Sequence, residues 1–278
     1  MAPRVRLVPL FVLALPMAAA AVAAGRAPSL RGARAGTDHA GVGTRPAART
    51  FRVLVTGFEA FPGWEENPSG GIARRLHGTC DDLEAHQASL RVCWSARTLP
   101  VDHNGTRWLA SILPHLTRPS PDAVVMLGAG KELTVELTAR NVEAETGRRI
   151  ADDGAPLWLE TTVDLAHHGL EASLRRLATL DRGDAGRYYC NEIYYRTLRQ
   201  IRRMAKSVQS PAGFKVPSMF IHLMSEKDAD GVKALVAQTL WATYVAKPSA
   251  TRVASEATPG RGATKRRSAR AVPSLAAR

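Results

Sequence analysis

Apolar residues fall along this chain in two alternating rhythms. The run Phe51-Arg-Val-Leu-Val-Thr56 is β-branched and apolar and stops at Gly57, the pattern of a buried strand that feeds a loop. Asn67-Pro68-Ser69 then opens a predicted helix with Ile72, Ala73 and Leu76 at helical spacing. A second strand is expected over Leu90 to Leu99. A helix from about Asn104 to Leu116 follows, with Trp108, Leu109, Ile112 and Leu113 on one face. Ala123-Val-Val-Met-Leu127, ending in Gly128-Ala-Gly130, repeats the strand-then-glycine pattern. Further strands are expected at Leu133 to Val142 and Met219 to Leu223, and further helices at Leu165 to Leu180, Asn191 to Lys206 and Asp228 to Tyr244. This order predicts an α/β fold, a single three-layer α/β/α domain over residues 51–246 whose mostly parallel central sheet is flanked by helices. In such sheets, sites gather where strands end.

The net charge of +13 changes this picture only at the ends. Residues 1–50 hold seven Arg and one Asp, and residues 247–278 hold eight Lys or Arg and one Glu, so the two segments carry +6 and +7. Subtracting both from +13 leaves residues 51–246 neutral. A neutral body argues against a nucleic-acid-binding domain. Residues 25–50 and 247–278 lack hydrophobic periodicity and read as a disordered linker and a disordered basic tail. The first 24 residues read as a signal peptide: Arg4 and Arg6, then the apolar stretch Leu7 to Ala20, then the small-residue site Ala21-Val-Ala-Ala24. An exported protein, periplasmic or secreted, is expected, with no membrane span after cleavage.

Of the three cysteines, Cys80 and Cys93 are close enough in sequence to bridge a short loop, which would leave Cys190 unpaired. Cys190 stands at the start of the predicted helix Asn191 to Lys206, where the macrodipole and free amides favour a thiolate and can receive an oxyanion. His222, near the end of a predicted strand, is the type of residue a cysteine nucleophile needs as proton acceptor, although a strand histidine also has an ordinary structural role. Gly128-Ala-Gly130 lacks the third glycine of a dinucleotide fingerprint, since Leu133 holds that place. No zinc-ligand spacing occurs, and neither a metal nor a cofactor is expected.

Four segments, in order, resemble the pyrrolidone-carboxylate (pyroglutamyl) peptidase family. Thr56-Gly-Phe-Glu-Ala-Phe61 with Asn67-Pro-Ser69 is similar to its N-terminal signature, and Val135-Glu-Leu137 with Asn141 to its glutamate segment. Gly186-Arg-Tyr-Tyr-Cys-Asn191 is similar to its nucleophile segment and Phe220-Ile-His-Leu223 to its histidine segment. The resemblance implies a thiol omega peptidase acting on peptides with an N-terminal pyroglutamate. Cys190 would be nucleophile, His222 general acid and base, Glu136 orienting carboxylate, and Phe58 and Phe61 aromatic walls for the substrate ring. A homo-oligomer is left open. Because the lactam is neutral, its pocket is expected to offer flat apolar surfaces and no carboxylate for an ammonium. Departures after Asn141, where Glu145 to Asp153 replaces the family's usual turn, keep two alternatives: a catalytically impaired relative that binds a peptide or cyclic-amide end, and a cysteine amidase for another small acyl group.

Overall fold

Among the described residues eight strands form one sheet, and the alternation along them decides which side chains can meet. The computed structural model describes residues 49–116, 120–152, 154–207 and 216–246. The predicted signal peptide, the tail 247–278 and all of the predicted linker up to residue 48 lie outside the described residues. In chain order the elements are β1 (Thr50–Phe58), α1 (Pro68–Leu76), β2 (Cys80–Ala85), β3 (Ala88–Leu99), α2 (His103–Ile112), β4 (Ala123–Ala129) and β5 (Thr134–Arg140). They continue with β6 (Trp158–Glu160), α3 (Leu170–Arg175), β7 (Thr179–Asp184), α4 (Tyr189–Lys206), β8 (Ser218–Leu223) and α5 (Ala229–Leu240). The strand order is β2-β3-β1-β4-β8-β5-β6, with β7 also on β5. The pairs β3–β1, β1–β4, β4–β8 and β5–β7 are parallel, whereas β2–β3, β8–β5 and β5–β6 are antiparallel.

Successive strand residues point to opposite faces, and both faces are apolar. Val53, Val55, Val125, Leu127, Val135, Met219 and Ile221 pack with Ile72 of α1, Leu174 of α3 and Leu235 of α5 in one core. Leu54, Phe58, Val124, Met126 and Phe220 pack with Leu109 of α2 and Ile193, Leu198 and Ile201 of α4 in the other. The strands are buried on both sides, which is why they read as continuous apolar runs rather than alternating ones. Burial of each such large apolar side chain contributes about 1.5–3 kcal/mol before conformational entropy is charged against it. Among the described residues, no helix is long and apolar enough to cross a membrane.

Three elements differ from the sequence expectation. The helix expected over Leu165 to Leu180 is only α3, because His168 and Gly169 adopt φ of 48° and 67° and break the chain's path, and Thr179 already begins β7. β2 had no recognisable signal: its hairpin to β3 turns on His86-Gln87, both at positive φ (47° and 65°), where Asn-Gly is the usual cue. β6 is three residues on an edge. Cys80 and Cys93 face each other directly across β2 and β3 and are joined as a disulfide.

Candidate active site

Register and parity assemble a site on the α4 face. On β8, Met219, Ile221 and Leu223 join the opposite core, so Phe220 and His222 point toward α4. On β5, Val135 joins the opposite core, and Glu136 points toward α4 with them. The antiparallel register pairs Thr134 with His222 and Glu136 with Phe220, so Glu136 and His222 are diagonal neighbours on one face. Long side chains span that distance. Glu136 Oε1 lies 2.7 Å from His222 Nδ1. With Nδ1 so engaged, Nε2 is left for sulfur, and the Cys190 thiol lies close enough to His222 to raise its pKa.

Cys190 is the second residue of α4 and the one free cysteine among the described residues. The residue ahead of the helix, Tyr188, supplies no side-chain cap. The Asn191 and Glu192 amides bond back to the Tyr188 carbonyl (3.1 and 3.4 Å), which leaves the Tyr189 and Cys190 amides at the helix start for a ligand. Asn191 fixes this helix start to β5: its amide nitrogen donates to the carbonyls of Arg140 (2.9 Å) and Val142 (3.1 Å), and its Oδ1 accepts from the Arg140 amide (2.7 Å). Three residues further along α4, the Tyr194 hydroxyl donates to the Glu136 carbonyl at 3.0 Å. Helix α4 and strand β5 are thus clamped together by buried side chains. Asn141 makes a similar two-way clasp with Ala151, closing the loop after β5.

The glycine pair ending β4 belongs to this site and was missed in the sequence, where it registered only as a failed nucleotide motif. Gly128 pairs with His222 across β4 and β8. A Cβ on Gly128 would sit 2.6 Å from Phe220 Cζ and 2.9 Å from Cys190 Sγ, and one on Gly130 would sit 2.7 Å from His222 Cβ. Both positions must lack a side chain for sulfur and imidazole to approach the strand end.

The electrostatics follow from burial and contact. Desolvation alone would lower the His222 pKa, but hydrogen bonds to Cys190 and Glu136, with their charges, outweigh it and push the imidazole up to about 10. Desolvation raises the Glu136 pKa against the pull of His222, and Asp181 and Asp184 raise it further. Its second oxygen, Oε2, is buried without a hydrogen-bond partner among the described residues.

A cleft of about 510 Å³ opens at Cys190. Phe58, at the end of β1, and Phe61, three residues on, both line it. The Asn67-Pro-Ser69 segment holds this wall: Ser69 Oγ accepts from the Phe58 amide (3.0 Å), and Asn67 Nδ2 donates to the Glu59 carbonyl (3.0 Å). Beyond Phe61, a Pro62-Gly63 turn brings Trp64 back to stack on Phe61, with ring centroids 6.2 Å apart. Trp64, Tyr188 and Tyr189 also line the cleft and had not been singled out in the sequence. The expectation of a carboxylate-free cleft is corrected, since Glu145 lies on its lining.

A second buried carboxylate, Glu192, sits near His103 and Glu143. The Arg196 guanidinium contacts both Glu192 and Glu143, so a cation of the protein's own already serves the pair.

A thiol at a helix start, an imidazole on a strand end and a buried carboxylate behind it form the arrangement that thiol hydrolases use. The chain belongs to the pyrrolidone-carboxylate peptidase family. It is 32% identical over 188 residues to the pyrrolidone-carboxylate peptidase of Thermococcus onnurineus, covering 62% of this chain and 83% of the relative. It is 31% identical over 179 residues to that of Thermococcus kodakarensis, covering 59% and 79%. No protein-family model matches. Among solved structures, the pyrrolidone carboxyl peptidase of Thermococcus litoralis superimposes with a TM-score of 0.52 at 23% identity, over 68% of this chain and 93% of that one. Pyroglutamyl peptidase I of Bacillus amyloliquefaciens gives 0.52 at 19%, over 69% and 96%. These likenesses place the fold.

Proposed function

We propose that this protein is a cysteine peptidase that hydrolyses the amide bond after an N-terminal pyroglutamyl residue, with Cys190, His222 and Glu136 as its reacting and orienting groups. The observation that carries the reading is the continuous chain of contacts Glu136–His222–Cys190 at the floor of an aromatic cleft. An imidazolium and free helix amides beside a thiol favour its anion. The thiolate attacks the pyroglutamyl carbonyl carbon, forming a C–S bond while the carbonyl oxygen takes the negative charge, which the first amides of α4 receive. The C–N bond then breaks as the His222 imidazolium gives its proton to the departing amine. Water attacks the thioester, His222 takes a proton from it, and the C–S bond breaks to return the thiolate. Glu136 holds the imidazole tautomer and its charged form. Phe58 and Phe61 supply flat faces for the neutral lactam.

Release of a fluorophore from a pyroglutamyl amide tests this. Cys190→Ala is expected to lose on the order of 10⁴-fold or more in kcat. Turnover surviving in that variant would sink the assignment, and binding without turnover in the parent would select the binding-only alternative.

Export is part of the same proposal. The disulfide between Cys80 and Cys93 supports it, because such bonds persist in oxidising compartments. Mass spectrometry of the native protein should find an N-terminus near residue 24 and an oxidised pair. A chain beginning at Met1 with both thiols reduced would refute export.

A further inference from the structure

Glu145 is the one acidic side chain on the lining of the cleft, and the neutral lactam offers it no cation. Its position is built rather than incidental. The residue adopts φ of 60°, which costs a non-glycine residue energy and persists only where surroundings impose it. The surroundings are a tight turn after β5, closed by hydrogen bonds from the Glu143 amide to the Arg148 carbonyl (2.8 Å) and from the Gly147 amide to the Glu143 carbonyl (3.2 Å). The Tyr189 hydroxyl donates to Glu145 Oε1 at 2.7 Å. Tyr189 immediately precedes Cys190, so the carboxylate is tied to the nucleophile's own helix start. That contact, with burial and neighbouring carboxylates, pushes the Tyr189 phenol up to about 12, so it stays a donor across the working pH range. Among the described residues, Glu145 has no ion-pair partner in Lys, Arg or His.

Exposure along the cleft separates an inner end from a rim. Phe58 is 4% exposed, whereas Trp64 is 39% and Tyr188 74% exposed. A compact apolar ring fits the inner end, which places the part of the substrate beyond the scissile bond against the rim. There a carboxylate stands with two large exposed aromatic rings, the combination that receives a guanidinium or ammonium by charge and by stacking on a π face.

We infer that Glu145, with Trp64 and Tyr188, forms a subsite that selects a basic side chain, arginine or lysine, in the residue following the pyroglutamyl group. This rests on the activity proposed above. It deepens that reading by giving the leaving half of the substrate a chemical preference.

The test compares kcat/KM for three peptides, pyroglutamyl-Arg-, pyroglutamyl-Ala- and pyroglutamyl-Glu-, in the parent, Glu145→Gln and Glu145→Lys. An exposed, partly screened charge contact predicts a preference of about five- to tenfold for Arg over Ala in the parent, carried mainly in KM and shrinking at high salt. Glu145→Gln is expected to bring the Arg-to-Ala ratio of kcat/KM down to about one, the readout being the ratio and not the absolute turnover. Glu145→Lys is expected to invert the order so that the Glu peptide leads. Equal parent values for the three peptides would overturn the inference and leave the activity standing. A uniform fall on all three in Glu145→Gln would also overturn it, because Glu145 would then be holding the lactam. Failure of the parent to turn over any peptide would overturn the activity and this subsite with it.

Discussion

Two buried glutamates, each within 3.0 Å of a histidine Nδ1, sit one on β5 and one on α4 and differ in how fully they are paired. Glu192 lies on α4 itself and has every need met. It accepts from Thr106 Oγ1 (2.7 Å), the Ala144 amide (3.1 Å) and Arg196 Nε (2.9 Å), besides its contact with His103. Desolvation pushes its pKa up, but those hydrogen bonds and the Arg196 charge overcome it, and the net shift is downward. Glu136 has the histidine and a bare second oxygen, and its pKa is raised. A carboxylate that is fully paired pins α2, α4 and the loop after β5 together. One left half-satisfied next to an imidazole is the less stable arrangement, and such perturbed carboxylates cluster at functional sites. Histidine–glutamate proximity therefore does not distinguish the two sites; the satisfaction of the remaining oxygen does.

Exchanging each carboxylate for its amide sharpens the contrast most. Glu136→Gln should lower kcat on the order of 10²-fold or more and cost less stability than Glu192→Gln, because the Glu136 side chain has His222 alone as partner among the described residues. Glu192→Gln should cost about 3 kcal/mol in denaturant unfolding, with kcat per folded molecule nearly intact. Reversed outcomes would break the comparison. The same pair of variants reads the pH dependence. The His222 pKa is raised from its ordinary 6.5 to about 10, so the imidazolium's contribution to stability is fully present below about 6.5 and is lost as pH rises through about 10, while its proton is held for a leaving group until pH nears about 10. In Glu136→Gln the alkaline limb of kcat should move to lower pH, and in Glu192→Gln it should stay.

A smaller effect is expected from Gly128→Ala. The added methyl, forced against Phe220 and the Cys190 sulfur, should displace the nucleophile and lower kcat about 10- to 100-fold while circular dichroism stays native. Unchanged turnover would show that the strand end has room to spare.

Much of this was legible in the sequence. Gly57 and Gly128 punctuate two strands buried on both faces, and the apolar face of α4 is written in Tyr194, Leu198 and Ile201. The sequence could not show that β5 runs antiparallel to β8, and that reversal sets Glu136 diagonal to His222. Strand direction comes from connections, and periodicity does not encode it. The β2–β3 hairpin escaped because histidine and glutamine occupy its turn, and β7 escaped because Leu165 to Leu180 carries a helical spacing that His168 and Gly169 interrupt. Trp64 became visible as a cleft residue only once the Pro62-Gly63 turn folded it back on Phe61.

A Cys190 nucleophile requires a covalent bond to the pyroglutamyl carbonyl during turnover. Rapid acid quenching during turnover of a pyroglutamyl amide, followed by peptide mapping, tests it directly. A pyroglutamyl adduct on the peptide containing Cys190, absent from Cys190→Ala and accumulating when hydrolysis is slowed in Glu136→Gln, is the predicted result. Full turnover with Cys190 unmodified at every quench time, and with the alanine variant still active, would contradict it.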